Sequence, residues 1–261
     1  MSMLSCRDVV MTAGGRRLLG PLSATFKAGA VTAVLGPNGA GKSTWLAALA
    51  GVARPASGQV ILGDADMAGL DPLVRARRLG FMVQSRDIAW GVSVETLVGL
   101  GRIPHHRYVT LDDTTDAAMV AAALERCDLE ALRQRDVLTL SGGERARVLL
   151  ARVLAGGPDW VLADEPLAGL DPAYQLEIVR LLRGLADEGR GVVVTLHDLT
   201  LAGRFADRVM LLKDGRLVAE GPPDDVLTPG MLGDVYGVGV EVLTASDGAR
   251  VVMPTRRTPR E

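Results

Sequence analysis

Residues 31–49 read VTAVLGPNGAGKSTWLAAL: an apolar run, a turn containing three glycines, and a helical pattern that opens on a lysine. An apolar run without alternation is a strand buried on both faces, the kind a parallel sheet covered by helices provides. The turn fits G-x-x-x-x-G-K-[ST], in which glycines let backbone amides point inward and a helix N-terminus adds a favourable dipole, so its expected occupant is a phosphate. Gly36, Pro37, Asn38, Gly39, Ala40 and Gly41 would form the cradle, followed by Lys42, Ser43 and Thr44 at the start of the helix. Lys42 is placed to neutralise β- and γ-phosphates and Ser43 to offer its hydroxyl to Mg²⁺. An ordinary glycine turn is the bland alternative, and the strand before and helix after argue against it.

Three more apolar runs, GFMVQ, WVLAD and VVVTLH, begin at residues 80, 160 and 192, with helical patterns such as LEIVRLLRGLADEG between the strands. That order predicts an α/β fold with a mostly parallel sheet. RVMLLKDGRLVAEG and VEVLTASDGARVVM each place Asp-Gly between apolar runs and are predicted hairpins. Residues 87–156 change to helical patterning, including DDTTDAAMVAAALERC, where an acidic and hydroxyl cluster supplies an N-cap and Met119, Val120, Ala123, Leu124 and Cys127 share a face. The terminal PTRRTPRE is expected to be poorly ordered. The boundaries are 1–86 and 157–245 for two parts of one core, 87–156 for a helical insertion and 246–261 for an extension.

Composition narrows the function. A formal net charge of -2 argues against a nucleic-acid-binding surface. Cys6 and Cys127 stand alone, giving neither a disulfide framework nor a paired metal motif, which suits a reducing compartment. The first residues lack a basic segment leading into an apolar run, and no stretch approaches the ~18 apolar residues of a membrane span. The expected location is cytoplasmic, with any membrane attachment made through a partner.

WVLADEP puts Asp164 and Glu165 at the carboxyl end of a strand, where open α/β sheets present ligands. Adjacent carboxylates there suit two tasks: Asp164 holding Mg²⁺, and Glu165 accepting or orienting the proton of an attacking water. Alone they would read as two solvated acids at a strand end; beside the phosphate cradle the catalytic reading is favoured.

GPNGAGKST, the glutamine closing GFMVQ, LSGGE, VLADEP, AGLD and TLHD occur in the order and spacing of the ATP-binding subunits of ABC transporters, which residues 1–245 resemble. The resemblance implies a P-loop NTPase (RecA-like) core with an antiparallel β-subdomain and a helical insertion. It also implies ATP and Mg²⁺ as cofactors and a head-to-tail homodimer. Ser141, Gly142 and Gly143 of one subunit would then cover the γ-phosphate held by Lys42 of the other, which accounts for two glycines opening a helix they would otherwise weaken. Gln84 matches the residue that senses Mg²⁺ and the attacking water, His197 the switch histidine on the γ-phosphate, and Asp171 the D-loop aspartate that crosses the dimer interface. Read in isolation, these three are a polar strand end, a hydrogen-bonded strand terminus and a helix-opening turn.

One departure concerns adenine. Members usually carry an aromatic residue upstream of the P-loop, and Ala13 stands near that position here. Base stacking is therefore expected to be weaker or to come from a neighbour such as Arg16 or Arg17, and no stacking residue is assigned. Leu167 and Gly169 also replace commoner choices.

VSVETLVGLGRIPHH and the region after TLHD resemble ATPases of importers for iron-siderophore, haem or cobalamin complexes. That likeness implies a separate integral-membrane permease, an extracytoplasmic substrate-binding protein acting indirectly, and a peripheral position on the cytoplasmic face of the inner membrane. His105 and His106 are expected in an exposed loop or partner-contact surface rather than at a metal, since adjacent histidines do not readily share one ion. A soluble ABC-type ATPase acting on a non-membrane target is the alternative, and it usually shows tandem domains or long coiled coils. A small-molecule kinase would leave LSGGE and His197 unexplained.

Overall fold

The computed structural model describes residues 3–85, 88–106, 114–246, 248 and 250–257. The chain opens with β1 (Leu4–Ala13) and β2 (Arg16–Phe26), then enters the sheet core through β3 (Val31–Leu35) and α1 (Lys42–Leu49). β4 (Ser57–Leu62) and the short β5 (Ala65–Asp66) return to β1 to complete an antiparallel sheet of order β2-β1-β4-β5. α2 (Pro72–Arg78), capped by the Asp71 carboxylate, leads into β6 (Leu79–Met82).

The helical layer follows as α3 (Val94–Gly99), a 3₁₀ turn over Leu100–His105, α4 (Thr114–Arg126) and α5 (Gly142–Ala155). Val120, Ala123 and Leu124 are buried on α4 and Cys127 just beyond its end, as their spacing predicts, and Met119 is half-buried. Asp112 and Asp113, expected in its N-cap cluster, lie outside the described residues, as does the 86/87 boundary.

The chain then re-enters the core with β7 (Trp160–Ala163), α6 (Pro172–Asp187), β8 (Gly191–Thr195), α7 (Leu199–Phe205), β9 (Arg208–Lys213) and β10 (Arg216–Gly221). The six-stranded sheet has the order β10-β9-β3-β8-β7-β6, parallel except for the β9–β10 hairpin. Asp214 and Gly215 form the tip of that hairpin with φ of 49° and 72°, as a tight Asp-Gly turn requires.

Alternation along these strands divides the interior in two. Val31, Ala33, Leu35, Val161, Ala163, Val192, Val194, Val209 and Leu211 face the helices. Val34, Leu162, Val193, Met210 and Leu212 face α1 and the antiparallel sheet, packing with Trp45 and Phe26, whose rings lie 5.7 Å apart. An uninterrupted apolar sequence is what two such faces demand in β3, β7 and β8, where every position is buried.

α8 (Pro223–Val226) and α9 (Pro229–Tyr236) precede a hairpin of β11 (Val238–Thr244) and β12 (Arg250–Arg257). For residues 254–257 the expectation of a poorly ordered end is corrected: Pro254, Thr255, Arg256 and Arg257 belong to β12, and Pro254 sits opposite Val240. A two-stranded ribbon is marginal alone; this one is pinned to α7, where the Thr200 hydroxyl accepts from Val252 N at 3.0 Å and donates to Val252 O at 3.3 Å. The hairpin crosses the 245/246 boundary, with Asp247 and residues 258–261 outside the described residues. No described helix is long and apolar enough to cross a membrane.

Candidate functional site

Four neighbouring parallel strands, β3, β8, β7 and β6, end on one side of the sheet, and the chain beyond each end carries a polar residue into a common site. This is where open α/β sheets bind ligands, because helix N-termini and loops converge there. β3 leads into the glycine turn, β6 into Gln84, β7 into Asp164 and Glu165, and β8 into His197.

The turn is built for close backbone approach. Gly36 adopts φ 147°, and a Cβ there would fall 2.3 Å from the Leu212 carbonyl oxygen, so a larger residue would push the loop off β9. Gly215 N donates to Ala40 O at 3.2 Å and braces the loop from the β9–β10 turn. Lys42 is 5 % exposed and folds its ammonium onto the loop itself, donating to Gly36 O at 2.8 Å and Pro37 O at 3.3 Å. Burial holds this ammonium below the usual lysine range, and the charges of Glu165 and Asp164 offset part of that shift.

Ser43 Oγ donates to Asp164 Oδ1 at 3.1 Å. The same oxygen accepts from the Thr195 hydroxyl at 2.6 Å, and Thr195 Oγ1 in turn accepts the backbone N–H of Glu165 at 2.8 Å. Thr195 is fully buried, and the sequence reading passed it over as a strand residue. Its one legible signal was a hydroxyl at the end of the apolar run, two residues before His197.

Glu165 has φ 47°, a left-handed conformation that costs a non-glycine residue ~1–3 kcal/mol and survives where its surroundings hold it. Here the Thr195 hydroxyl holds its amide, and two side chains hold its carboxylate. Gln84 Nε2 donates to Oε2 at 2.7 Å, and His197 Nε2 lies 2.6 Å from Oε1. An ionised carboxylate only accepts, so the proton of that contact is carried by the imidazole. Gln84 is thus linked to the Ser43–Asp164 pair through Glu165 and Thr195.

Ser141, Gly142, Gly143 and Asp171 stand at the starts of α5 and α6, with no described hydrogen bond to this polar cluster. Ser141 Oγ accepts from Glu144 N while Glu144 Oε2 accepts from Ser141 N, a reciprocal cap that offsets the weak helix propensity of the glycines. Asp171 Oδ1 caps α6 by accepting from Tyr174 N at 3.1 Å. The Tyr174 ring packs over Gly143, where a Cβ would fall 2.4 Å from it, whereas a Cβ on Gly142 would meet nothing within 4 Å. One glycine is thus required by a neighbour in its own chain, and the other faces open space.

Arg17 lines a cleft of about 520 Å³ with Leu18, Lys213 and Arg216, where β2 and the β9–β10 turn abut the glycine loop. Ala13 and Arg16 are exposed and outside that lining.

The exposed-loop reading of His105 and His106 is corrected. His105 Nε2 is 2.9 Å from Gly156 O, and His106 contacts Asp116, whose other oxygen accepts from Arg102 Nε at 2.8 Å. Arg102 also donates to Ala155 O at 2.9 Å, and Arg77 of α2 donates to Pro104 O at 2.6 Å. GRIPHH is a knot joining α2, α4 and the end of α5.

Residues 19–168 match the ABC transporter family. A hemin import ATP-binding protein HmuV of Rhodococcus jostii strain RHA1 is 43% identical over 97% of this chain and 86% of its own. The HmuV of Bordetella pertussis is 43% identical over 92% of this chain and 94% of its own. Among solved structures, a metal-chelate type ABC transporter in an inward-facing conformation superposes with TM-score 0.85 at 26% identity, covering 98% of both chains. An ATP-binding cassette solved as a dimer in a post-hydrolysis state with ADP and Pi gives TM-score 0.75 at 28% identity, covering 84% of this chain and 98% of that one.

Proposed function

From the premise that this chain belongs to the ABC transporter family, as an ATP-hydrolysing ATP-binding subunit, we propose that it powers import of haem or a related metal chelate as a homodimer on a separate membrane permease. It would sit on the cytoplasmic face of the membrane, and the permease would receive cargo from an extracytoplasmic binding protein. The observation that carries the catalytic part is the Glu165 carboxylate, gripped at both oxygens by Gln84 and His197 beside the phosphate cradle. The names of the HmuV relatives support the cargo class. The open face of Gly142 and the dimeric cassette of similar fold support the dimer.

Mechanistically, Lys42 exchanges the carbonyls of Gly36 and Pro37 for the β- and γ-phosphates, a stronger, charge-assisted pairing. The loop amides of residues 36–43 orient the phosphates, and Ser141 with the amides of Gly142 and Gly143 closes over them from the partner subunit. Ser43 and Asp164, with Gln84 at hand, offer only hydroxyl, carboxylate and amide oxygens, a donor set that fits Mg²⁺. Held there, Mg²⁺ would supply charge neutralisation between the phosphates. Glu165 accepts the proton of the attacking water at a lone pair that neither Gln84 nor His197 uses, and those two contacts orient the carboxylate. His197 would turn from Oε1 to the γ-phosphate when nucleotide arrives.

Affinity purification of the tagged protein from gently solubilised native membranes tests the transport reading. Recovery of a polytopic permease, with a binding protein whose ligand is haem or another metal chelate, is the expected result. Soluble partners alone under several detergents would overturn it.

A further inference from the structure

Tyr174 lies between the two motifs that the proposed dimer would present across its interface. Its amide is held by Asp171 Oδ1 at 3.1 Å, and its ring lies against Gly143 so closely that no Cβ fits there. The Arg147 guanidinium, one turn further along α5, sits 5.6 Å from the ring centroid, within cation–π range. Arg147 is itself fixed, donating to Cys127 O at 3.3 Å and Asp128 O at 3.2 Å, with Glu177 of α6 3.7 Å from its Nε. The ring is thus clamped between α5 and α6. No described hydrogen bond uses its hydroxyl.

We propose that Tyr174 is a positioning residue that sets the height and tilt of Ser141, Gly142 and Gly143, and so acts on the ATP held by the opposite subunit rather than on its own. This rests on the composite-site reading above. The flat ring explains why Gly143 must be glycine, and leaves Gly142 as the glycine free to approach a phosphate outside the chain. A misplaced donor of ~1 Å costs about 10²-fold in rate, and removal of the ring would displace the backbone that carries these donors.

The test uses full-length subunits with two different tags, mixed so that heterodimers can be isolated, and ATP as the probe. Tyr174→Ala homodimers should lose about 10²-fold in kcat while the single subunit binds ATP as wild type does, and Tyr174→Phe should restore the rate. Pairing a Tyr174→Ala subunit with a Lys42→Ala subunit leaves one composite site with an intact P-loop and an intact opposing signature. Activity should therefore return in that pair. A pair of Ser141→Arg and Lys42→Ala subunits is the control for the dimer itself. Silence in the Tyr174 pair with activity in the control would overturn the proposal, placing Tyr174 in the service of its own site. Silence in both pairs would overturn the composite-site reading and this inference with it. Tyr174→Leu, which keeps apolar bulk without the ring, replaces the alanine variant if that one is insoluble; wild-type turnover in either would also overturn the proposal.

Discussion

His197 Nε2 lies 2.6 Å from Oε1 of Glu165, bringing the end of β8 against the end of β7. Gln84 donates to the other carboxylate oxygen, so both oxygens of Glu165 are held in place while each keeps a second lone pair for a water. On the proposed mechanism His197 exchanges Oε1 for the γ-phosphate of bound nucleotide.

Replacing His197 with Ala removes its contact to Oε1 and, on the proposed mechanism, the contact to the γ-phosphate. ATP affinity should change little, while kcat falls on the order of 10²-fold, as loss of one positioned donor to developing charge does. Phosphate release at saturating ATP, beside equilibrium nucleotide binding, separates the two. A matching loss of affinity would mean that His197 contributes to binding rather than to turnover.

Thr195→Val keeps the shape of a fully buried side chain and deletes the hydroxyl that joins Asp164 Oδ1 to Glu165 N. An unpaired buried amide costs ~1–3 kcal/mol, and the left-handed backbone of Glu165 loses its anchor. If that loss falls on catalytic positioning, kcat drops about 10- to 100-fold with KM near wild type. Thr195→Ser should recover the rate. Failure of serine to do so would point to the methyl group instead.

Arg102 and Asp116 form an ion pair with side chains 7% and 6% exposed. Arg102→Ala would leave the buried Asp116 carboxylate with His106 alone, at a cost approaching the ~3–5 kcal/mol of a broken buried pair. Urea denaturation should show the midpoint falling with little change in slope. Pairing Arg102→Met with Asp116→Leu should recover much of the loss, since an apolar pair of similar volume has no charge to desolvate.

Burial, aided by the Arg102 and Arg77 charges, holds His105 below the usual imidazole value, against the opposing pull of its bond to Gly156 O. A depressed folded-state value means the unfolded chain takes the proton first. The stability due to neutral His105 is therefore complete above the ordinary value of 6.5 and is lost as pH falls through the lower folded value. His105→Gln should flatten the fall in melting temperature between about pH 7.5 and about pH 5. An unchanged slope would remove His105 as its source.

Much of the fold was readable because its strands are short apolar runs and its turns carry their own chemistry. VTAVLG and VVVTLH could only be strands covered on both faces, and Asp214-Gly215 could hardly be anything but a hairpin tip. Lys42, Asp164 and Glu165 were legible because the glycine loop supplied context for the acids. Thr195 and Tyr174 were not, since each acts through a contact between segments distant in sequence: β8 with β7, and α6 with α5. The exposed-loop expectation for His105 and His106 failed for the same reason: the partners of GRIPHH lie on α2, α4 and at the end of α5, where spacing alone gives no sign of them. The terminal Pro254 was likewise taken for a loose end, because proline speaks against a strand except at an edge, and an edge is where β12 lies.

The most direct test of the account is Glu165→Gln, which preserves the hydrogen-bonding shape of the side chain and removes its basicity. Molar mass by light scattering and phosphate release are read on the same sample with ATP and Mg²⁺. The prediction is a doubling of mass that depends on ATP, with turnover lowered on the order of 10²-fold or more. A variant that stays monomeric with ATP and hydrolyses it at near the wild-type rate would contradict both the role of Glu165 and the site completed across a dimer.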